Sequence, residues 1–383
     1  YFLYQYIISC TMPVLHSRDL QIPLYIILAF MLTAFVYTVL EPKARWSKKV
    51  FLEELQGPLR LNSDNNEVPG PNFTAVVIQT HFRSGSSLSG DVLQQHPDAF
   101  YIYEPLRAPF MLIPMGKDMI YPDGRIKKQP MNLITEAQTT MRGLLTCDFL
   151  NVFSEVFKSD FMLMGIKSKQ YFTCLEGRKT SKNQTKNRTD DDFLACVHFL
   201  RSLCLQSKYR VLKIVRTPLD ALTIILNDLP SLKVLHVVRD PRAVIVSRNS
   251  IGYCPPDQST NSTYGCTSEI CERLESDILT KRKLGPLYSD RIKTVLYEDM
   301  ARRPVETAKE LYQFVGMTIQ QNILDYVYNI TSSGMKNDCE ICSVRSNSTY
   351  HIMAWRKSLD KDSLFRIQDR CNYVLKHYEY TIY

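Results

Sequence analysis

The sequence lacks the patterns that mark several common classes of protein. No dense stripe of Lys and Arg with interleaved aromatic residues occurs, which argues against a nucleic-acid-binding surface. The 11 cysteines have no histidine partners at zinc spacing. The balance of charge is only mildly basic, with 47 Lys and Arg against 39 Asp and Glu, a net charge of +8. Such a surplus indicates an anionic ligand and leaves its chemistry open.

Long apolar runs are equally scarce, and only one is long enough to cross a bilayer. Ile22 to Leu40 holds 19 residues without a charged side chain. A signal peptide would have a shorter core and a small-residue cleavage site, and none is evident. The alternative is a buried core helix, but nothing before this segment could form a domain around it. We therefore predict a membrane anchor at 22–40, after a short cytoplasmic tail at 1–21.

The orientation of this anchor rests on conflicting signals. Four basic residues follow the segment, whereas only Arg18 precedes it closely, which by itself would leave the long C-terminal part in the cytoplasm. Ten of the 11 cysteines lie after the segment, an even number that suits a disulfide-forming compartment. Six glycosylation sequons also follow it, at Asn72, Asn183, Asn187, Asn261, Asn329 and Asn347. These two observations outweigh the flanking charges and predict a lumenal C-terminal part.

The remainder of the chain divides into a stem at 41–72 and one α/β domain at 73–383. Four apolar, mostly β-branched runs are typical of buried parallel strands; they are Ala75–Gln79, Val211–Val215, Lys233–Val238 and Lys293–Tyr297. Helical spacing separates them, as in Thr307–Val315 and Ser363–His377. This alternation predicts a parallel sheet flanked by helices. Glu176–Asp192 is strongly hydrophilic, and we expect a solvent-exposed loop there.

A phosphate-binding loop is predicted where the first strand ends. The sequence RSGSS, Arg83 to Ser87, stands between that strand and a possible helix. A glycine turn that opens a helix directs several backbone N–H groups at one point, where the helix dipole also favours an anion. Gly85 permits the positive φ that such a turn requires. The lysine of the common nucleotide-binding loop is missing, and an ordinary capped helix would have a similar sequence.

A second anion site is predicted in the stretch LHVVRDPRAVIVSRNS. Arg239 closes a strand, Asp240 is a good N-cap, and Pro241 suits the first position of a helix. Ser247 follows about two turns into that helix. An arginine at a strand end and a serine on the adjacent helix together suit a phosphate group. The alternative for this element alone is a salt bridge between Arg239 and a neighbouring carboxylate.

Together the two elements resemble the sulfotransferases that use 3′-phosphoadenylyl sulfate. RSGSSLSGDVL resembles the family's 5′-phosphosulfate loop, and VVRDPRAVIVSR resembles its 3′-phosphate motif. Further matches are YEPL, VLKIVR, VLYEDM, AWR and IQDRC, at 103–106, 211–216, 295–300, 354–356 and 367–371. They are similar to those of the Golgi carbohydrate 6-O-sulfotransferases that act on galactose, N-acetylglucosamine or N-acetylgalactosamine. The resemblance covers most of 73–383.

The resemblance implies the sulfotransferase fold, a type II Golgi membrane anchor and a glycan acceptor, either a glycosaminoglycan or a glycoprotein oligosaccharide. It also implies the roles of individual residues. Arg83 matches the catalytic cation, which would stabilise the charge on the leaving phosphate. Binding of the donor 3′-phosphoadenylyl sulfate would involve Arg83, Ser84, Gly85, Ser86, Ser87, Arg239 and Ser247. No metal is expected, because no pair of aspartates lies beside the loop as magnesium would need.

A general base should accept the proton of the sugar hydroxyl, and Glu104 is our candidate. It follows an aromatic run about twenty residues after the loop, where a second parallel strand would emerge at the same sheet edge. Burial beside Tyr101 and Tyr103 would raise its pKa towards a useful range. The alternative is that Glu104 pairs with an arginine and only orients the loop. His81 is a second candidate base, although its place on the strand favours packing.

Arg107 departs from the resemblance, because the family often has an aromatic residue after YEPL. This departure leaves the identity of the acceptor sugar open. Two other functions also stay open. A lumenal kinase with a variant phosphate loop would need a metal-binding aspartate and a loop lysine. A catalytically inactive glycan-binding protein on the same fold would be expected to have lost Arg83, Arg239 or Ser247, and all three are present.

Overall fold

The computed structural model describes residues 73–181, 190–254, 256, 264–332 and 348–383. The predicted membrane anchor and the stem lie outside these ranges, as do two of the ten cysteines that follow the anchor, Cys339 and Cys342. Within them, no helix has the length and apolar character needed to span a bilayer. Of the six sequons, Asn329 belongs to the described residues, and its side chain is exposed.

A five-stranded parallel sheet forms the centre of the fold, in the order β2-β5-β1-β6-β7. In β1 the residue Val77 lies between Leu212 of β5 and Val234 of β6. The four predicted strands are confirmed, and the aromatic run before Glu104 supplies the fifth. The bounds are β1 Thr74–Thr80, β2 Ala99–Tyr103, β5 Tyr209–Ile214, β6 Leu232–Val238 and β7 Ile292–Leu296. The predicted α/β class and parallel sheet are therefore confirmed.

Both faces of the sheet are covered, which explains why the strands are apolar at successive positions. Ala75 and Val77 of β1 belong to a cluster with helices on one face, and Val76 and Ile78 belong to a cluster on the other. All four residues have 0% of their surface exposed. Since side chains alternate between the faces of a strand, apolar residues are favoured at both sets of positions.

Helices connect the strands and cover the sheet. They are α1 Ser86–Leu93, α2 Arg107–Leu112, α3 Leu133–Leu145, α4 Ser154–Phe157, α5 Gln170–Ser181, α6 Asp190–Leu205, α7 Thr223–Asp228, α8 Pro241–Asn249, α9 Thr267–Tyr288, α10 Tyr297–Arg302, α11 Pro304–Val315, α12 Gln321–Ser332, α13 Tyr350–Met353, α14 Lys361–Arg370 and α15 Asn372–His377. Short 3₁₀ turns include Asp160–Met164 and Ala354–Lys357. A small antiparallel hairpin, β3 Met119–Ile120 with β4 Ile126–Lys127, lies outside the main sheet.

The prediction of a solvent loop at Glu176–Asp192 is wrong at both of its ends. Helix α5 continues to Ser181, and α6 begins at Asp190. Three aspartates occupy the first turn of α6, where the helix dipole favours negative charge. A disulfide between Cys174 and Cys196 joins the two helices. The hydrophilic ends of this segment are therefore helical, with exposed residues at 176, 177, 190 and 191, and residues 182–189 lie outside the described ranges.

The helical pattern predicted over Ser363–His377 is confirmed, although it forms two helices with a break at Cys371. This residue ends α14 and precedes α15. The apolar spacing persists across the break because Ile367, Val374 and Leu375 all pack in the same cluster as residues of α9.

Four disulfides join eight of the ten cysteines that follow the apolar segment, which confirms the prediction of disulfide bonds. The pairs are Cys147–Cys204, Cys174–Cys196, Cys254–Cys266 and Cys271–Cys371.

Candidate active site

The two predicted anion-binding elements begin at neighbouring strand ends. Strands β1 and β6 are adjacent and parallel, with Thr80 opposite Val237. The Thr80 hydroxyl donates a hydrogen bond of 2.7 Å to the Val237 carbonyl. Because both chains leave the sheet at the same edge, the loops that follow lie side by side.

The loop after β1 leaves its backbone donors open. Gly85 is the N-cap of α1 with a φ of 84°, and no side chain caps this helix. Among the described residues, no backbone carbonyl accepts a hydrogen bond from the N–H of Gly85, Ser86 or Ser87. Arg83 also has a positive φ, 74°, which is unusual for a residue with a Cβ. The turn therefore presents three N–H groups at the start of a helix of eight residues.

Only glycine fits at the centre of this turn. A Cβ on Gly85 would lie 2.2 Å from Cδ2 of Tyr297, which is a steric overlap. Tyr297 is the first residue of α10, immediately after β7. The tyrosine ring therefore lies directly against the loop.

The loop after β6 is built differently, because acceptors in the loop and on α10 already bind its N–H groups. Asp240 caps α8 by accepting from the N–H of Arg242, and Pro241 opens the helix as predicted. The N–H of Asp240 donates to Glu298 at 3.0 Å, and Tyr380 donates to the other oxygen of the same carboxyl at 2.9 Å. Burial raises the pKa of Glu298.

Arg242 anchors this second loop in the interior. Its side chain is 2% exposed and forms an ion pair of 2.8 Å with Asp240. Its guanidinium stacks on Trp355, 4.4 Å from the ring centroid, and donates to the side chain of Gln368 at 2.9 Å. Arg242 is therefore structural, and the residues that remain available for a ligand are Arg239 and Ser247.

Direct contacts join the two loops. Nε of Arg83 donates to the hydroxyl of Ser247 at 2.9 Å, and Nη1 of Arg239 donates to the carbonyl of Arg83 at 3.2 Å. The Arg239 guanidinium lies 4.4 Å from the centroid of the Tyr297 ring. Its Nε is buried and has no hydrogen-bond partner among the described residues. The structure thus brings together all seven residues predicted to bind the donor.

Glu104 also reaches this edge of the sheet, but its expected raised pKa is wrong. One carboxyl oxygen lies 2.7 Å from Nζ of Lys213, and the other lies 2.6 Å from Nη1 of Arg216. Although burial raises the pKa of Glu104, the charges of these two cations outweigh it and lower the pKa to about 2. Glu104 is 4% exposed and has a positive φ of 44°.

His81, the second candidate base, faces the interior. Its Nε2 lies 2.8 Å from Asp277 of α9, and both side chains are almost fully buried. Burial lowers the pKa of His81. Asp277 also accepts from the N–H of Leu219 and from the side chain of Gln79. His81 therefore packs in the interior, as its position next to the strand led us to expect.

The sequence reasoning missed the partners of the site residues. Lys213 and Arg216 hold Glu104, Tyr297 covers Gly85, and Glu298 holds the loop after β6. A signal for two of them was present, because Lys213 interrupts the apolar run Val211–Val215 and Arg216 follows it. Burial of a charged ammonium is unfavourable without a partner, and Glu104 supplies the carboxylate for Lys213.

The chemistry of the site is that of a receptor for anions. Open N–H groups, Arg83 and Arg239 lie together, and the carboxylate of Glu104 at this edge is held by two cations. Among the described residues, no group of three or more His, Cys, Asp or Glu is arranged for a metal ion.

Comparison with known proteins gives consistent matches over most of the chain. A family model described as the sulfotransferase family matches residues 75–321. Carbohydrate sulfotransferase 5 of Homo sapiens is 26% identical over 339 residues, 79% of this chain and 78% of that protein. Carbohydrate sulfotransferase 1 of Danio rerio is 25% identical over 333 residues, 80% of this chain and 78% of that protein.

Solved structures with a similar fold are more distant in sequence. The sulfotransferase domain from the Synechococcus PCC 7002 olefin synthase is 17% identical and has a TM-score of 0.46. The match covers 84% of this chain and 99% of that domain.

Proposed function

Because this chain belongs to the sulfotransferase family, we propose that it transfers a sulfuryl group from 3′-phosphoadenylyl sulfate to a hydroxyl of a glycan. The contact between Arg83 and Ser247 carries the proposal, since it joins the two anion-binding loops into one site. A donor with phosphates at both its 5′ and 3′ positions needs two such loops. When bound, it supplies a sulfuryl group attached to its 5′-phosphate.

The residues present fit this donor. The open N–H groups of Gly85, Ser86 and Ser87 would hold the 5′-phosphosulfate. The hydroxyls of Ser84, Ser86 and Ser87 would add further donors. Arg239 and Ser247 would hold the 3′-phosphate. The unpartnered Nε of Arg239 supports this assignment, because a buried guanidinium N–H without an acceptor is unfavourable until an anion binds.

Arg83 would provide the fixed positive charge of the reaction. Its guanidinium stays protonated at all relevant pH values, so it acts by stabilising charge on the leaving phosphate and does not donate a proton. The hydrogen bond from Nε to Ser247 orients the guanidinium across both loops. Sulfuryl transfer depends mainly on such positioning, as phosphoryl transfer does.

The proton of the sugar hydroxyl must pass to an acceptor, and Glu104 is the candidate on this edge of the sheet. With a pKa of about 2 it is ionised at neutral pH but weakly basic. Its two ion pairs favour the other role considered for it, that of orienting Lys213 and Arg216. Glu104→Gln separates the two roles. Turnover that falls about 10²-fold or more at an unchanged KM for the donor supports proton transfer; full turnover excludes it.

The proposed activity is tested by incubating the purified chain with donor labelled in its sulfate and with polymers of galactose, N-acetylglucosamine and N-acetylgalactosamine. We expect label in at least one polymer, and labelling that is strongly reduced with Arg83→Ala. Labelling from the γ-phosphate of ATP would instead indicate a kinase. Tight binding of the donor product with no label in any sugar would indicate an inactive glycan-binding protein.

We extend the proposal to the 6-hydroxyl, which the resemblance implies. An acceptor that lacks this oxygen, the 6-deoxy sugar, should remain unlabelled while the matched parent sugar is labelled. Equal labelling of both would assign the reaction to another hydroxyl.

We also propose that the enzyme is a type II protein of the Golgi membrane with its catalytic part in the lumen. The four disulfides and the exposed sequon at Asn329 support this topology. In sealed microsomes the C-terminal part should resist added protease until detergent is present. Asn329→Gln should remove one glycan from the protein, seen as a mobility shift. Protease cleavage without detergent would contradict this orientation.

A further inference from the structure

Arg107 lies beside the site but has no place in the proposed chemistry. It is the first residue of α2, and its N–H donates to the carbonyl of Glu104 at 3.1 Å. This hydrogen bond fixes Arg107 to the same turn as Glu104.

Aromatic contacts connect Arg107 to the first anion-binding loop. The Arg107 guanidinium lies 5.0 Å from the centroid of Phe161, and Phe161 packs edge-on against Tyr103 at 5.2 Å. The Tyr103 hydroxyl lies 3.4 Å from the hydroxyl of Ser87. Phe161 and Tyr103 are both partly buried. These rings form a continuous wall from the loop to Arg107.

A cation–π contact with a ring uses none of the hydrogen-bond donors of a guanidinium. Its five N–H groups point outward in the plane, so contact with Phe161 holds the group without using its donors. Among the ion pairs of the described residues, none involves Arg107. The side chain is half-buried, so water reaches it and a ligand could replace that water.

The charge around Arg107 is positive. Glu104 carries one negative charge but already contacts both Lys213 and Arg216, which leaves a surplus of one positive charge. With Arg107 the surplus is two. Arg216 is 28% exposed and adds to the positive surface on this side of the site. An oxyanion on the acceptor would meet a fixed, partly desolvated guanidinium at short range.

We propose that Arg107 binds an oxyanion on the sugar next to the one that is sulfated, so that the enzyme prefers acidic acceptor glycans to neutral ones. The oxyanion is a carboxylate or a sulfate ester, both of which a guanidinium binds through two parallel hydrogen bonds. This inference rests on the proposed function and names its acceptor class.

The test compares three acceptors that share one reactive sugar and differ only in its neighbour, which is neutral, carries a carboxylate or carries a sulfate ester. The wild-type chain should use at least one acidic acceptor with a kcat/KM roughly tenfold above that of the neutral one, the value of one charge-assisted hydrogen bond. Arg107→Gln should lose this preference through KM and keep the neutral acceptor within about twofold. The two acidic acceptors show which oxyanion is bound.

Two further variants make the result specific. Arg107→Lys keeps the charge but not the two parallel donors, so it should recover only part of the preference. Lys309→Gln removes one charge from the exposed surface of α11 and should leave the preference unchanged. The KM for the donor should be the same in all variants, because Arg107 is not part of the donor site.

Equal use of the acidic and neutral acceptors by the wild-type chain overturns the inference. So does an equal loss on all acceptors in Arg107→Gln, since the arginine would then only support the turn at Glu104. Both of these results require measurable transfer. Absence of transfer to every acceptor instead contradicts the proposed function itself.

Discussion

The loop after β1 and the loop after β6 offer anion donors of two different kinds. The first leaves the N–H groups of Gly85, Ser86 and Ser87 open and has no side-chain cap. The second uses its N–H groups internally, because Asp240 caps the N–H of Arg242 and Glu298 accepts from Asp240. A ligand would therefore bind to backbone N–H groups at the first loop and to the side chains of Arg239 and Ser247 at the second.

The difference has a physical consequence for how each loop keeps its shape. Backbone donors need a glycine turn, and Tyr297 packs where a Cβ would be. Side-chain donors need a rigid base, and the ion pair of Asp240 with Arg242 provides one in the interior. Substitutions at the first loop should therefore affect binding and rate, whereas those at the base of the second should affect stability.

The largest expected effect is on stability, at the base of the second loop. Asp240→Ala leaves the guanidinium of Arg242 buried without its carboxylate, which should lower the free energy of unfolding by about 3–5 kcal/mol. Asp360→Ala removes a similar cap from exposed α14, with no buried ion pair, and serves as the control. Denaturant unfolding of both variants measures the difference. Equal losses would mean that the buried pair adds nothing to the cap.

Arg83→Ala should have the largest effect on the rate. It removes the fixed charge from the first loop and the hydrogen bond to Ser247, so kcat should fall about 10²- to 10³-fold. Arg83→Lys keeps a charge and should retain part of the rate. Steady-state kinetics with the sulfate donor measures both, and circular dichroism checks that the fold is intact. A wild-type kcat in Arg83→Ala would remove this residue from the reaction.

Gly85→Ala should weaken donor binding more than it weakens the fold. The positive φ and the overlap with Tyr297 together should disfavour the open turn by about 1–3 kcal/mol, which is roughly ten- to hundredfold in affinity. Calorimetric titration with the bisphosphate product of the donor gives the change. Gly124→Ala is the control, since it also has a positive φ but lies in an exposed turn where a Cβ meets nothing within 4 Å. Unchanged affinity in Gly85→Ala would show that the turn does not bind the donor.

The smallest expected effect is that of pH on Glu104, the site residue beyond these loops. Its folded pKa of about 2 is below the ordinary 4.5, so its ion pairs stabilise the fold above pH 4.5 and lose this contribution as the pH falls towards 2. The difference in unfolding free energy between wild type and Glu104→Gln should be constant from about pH 8 to 5 and shrink below that. A difference that changes near neutral pH would indicate a raised pKa after all.

Much of the fold was predictable because its signals are local. Buried strands such as β1 and β6 show as apolar runs, and the Asp240-Pro241 pair identifies the start of α8. The hydrophilic segment around Glu176 was wrongly predicted to be a loop. A hydrophilic composition indicates exposure to solvent, and an exposed helix can have the same composition as an exposed loop. The break at Cys371 was missed because α14 and α15 bury residues in the same cluster, which keeps the apolar spacing regular.

The candidate site was predictable to the level of its two loops. Their placement after strands, together with the general geometry of parallel sheets, was enough to expect Arg83 and Ser247 near each other. The electrostatic surroundings of Glu104 could not be predicted in this way. Its surroundings were inferred from neighbours in the sequence, Tyr101 and Tyr103, whereas its electrostatics are set by Lys213 and Arg216, more than 100 positions away.

By itself, the sequence determined the strands, the two turns and the kind of ligand they suit, because each depends on the conformational preferences of a few adjacent residues. The tertiary structure decided which cations hold Glu104, which ring covers Gly85, how the eight described disulfide cysteines pair, and that Arg107 lies over Phe161. These contacts depend on the strand order β2-β5-β1-β6-β7. That order arises from packing across the whole domain, and no short stretch of the chain encodes it.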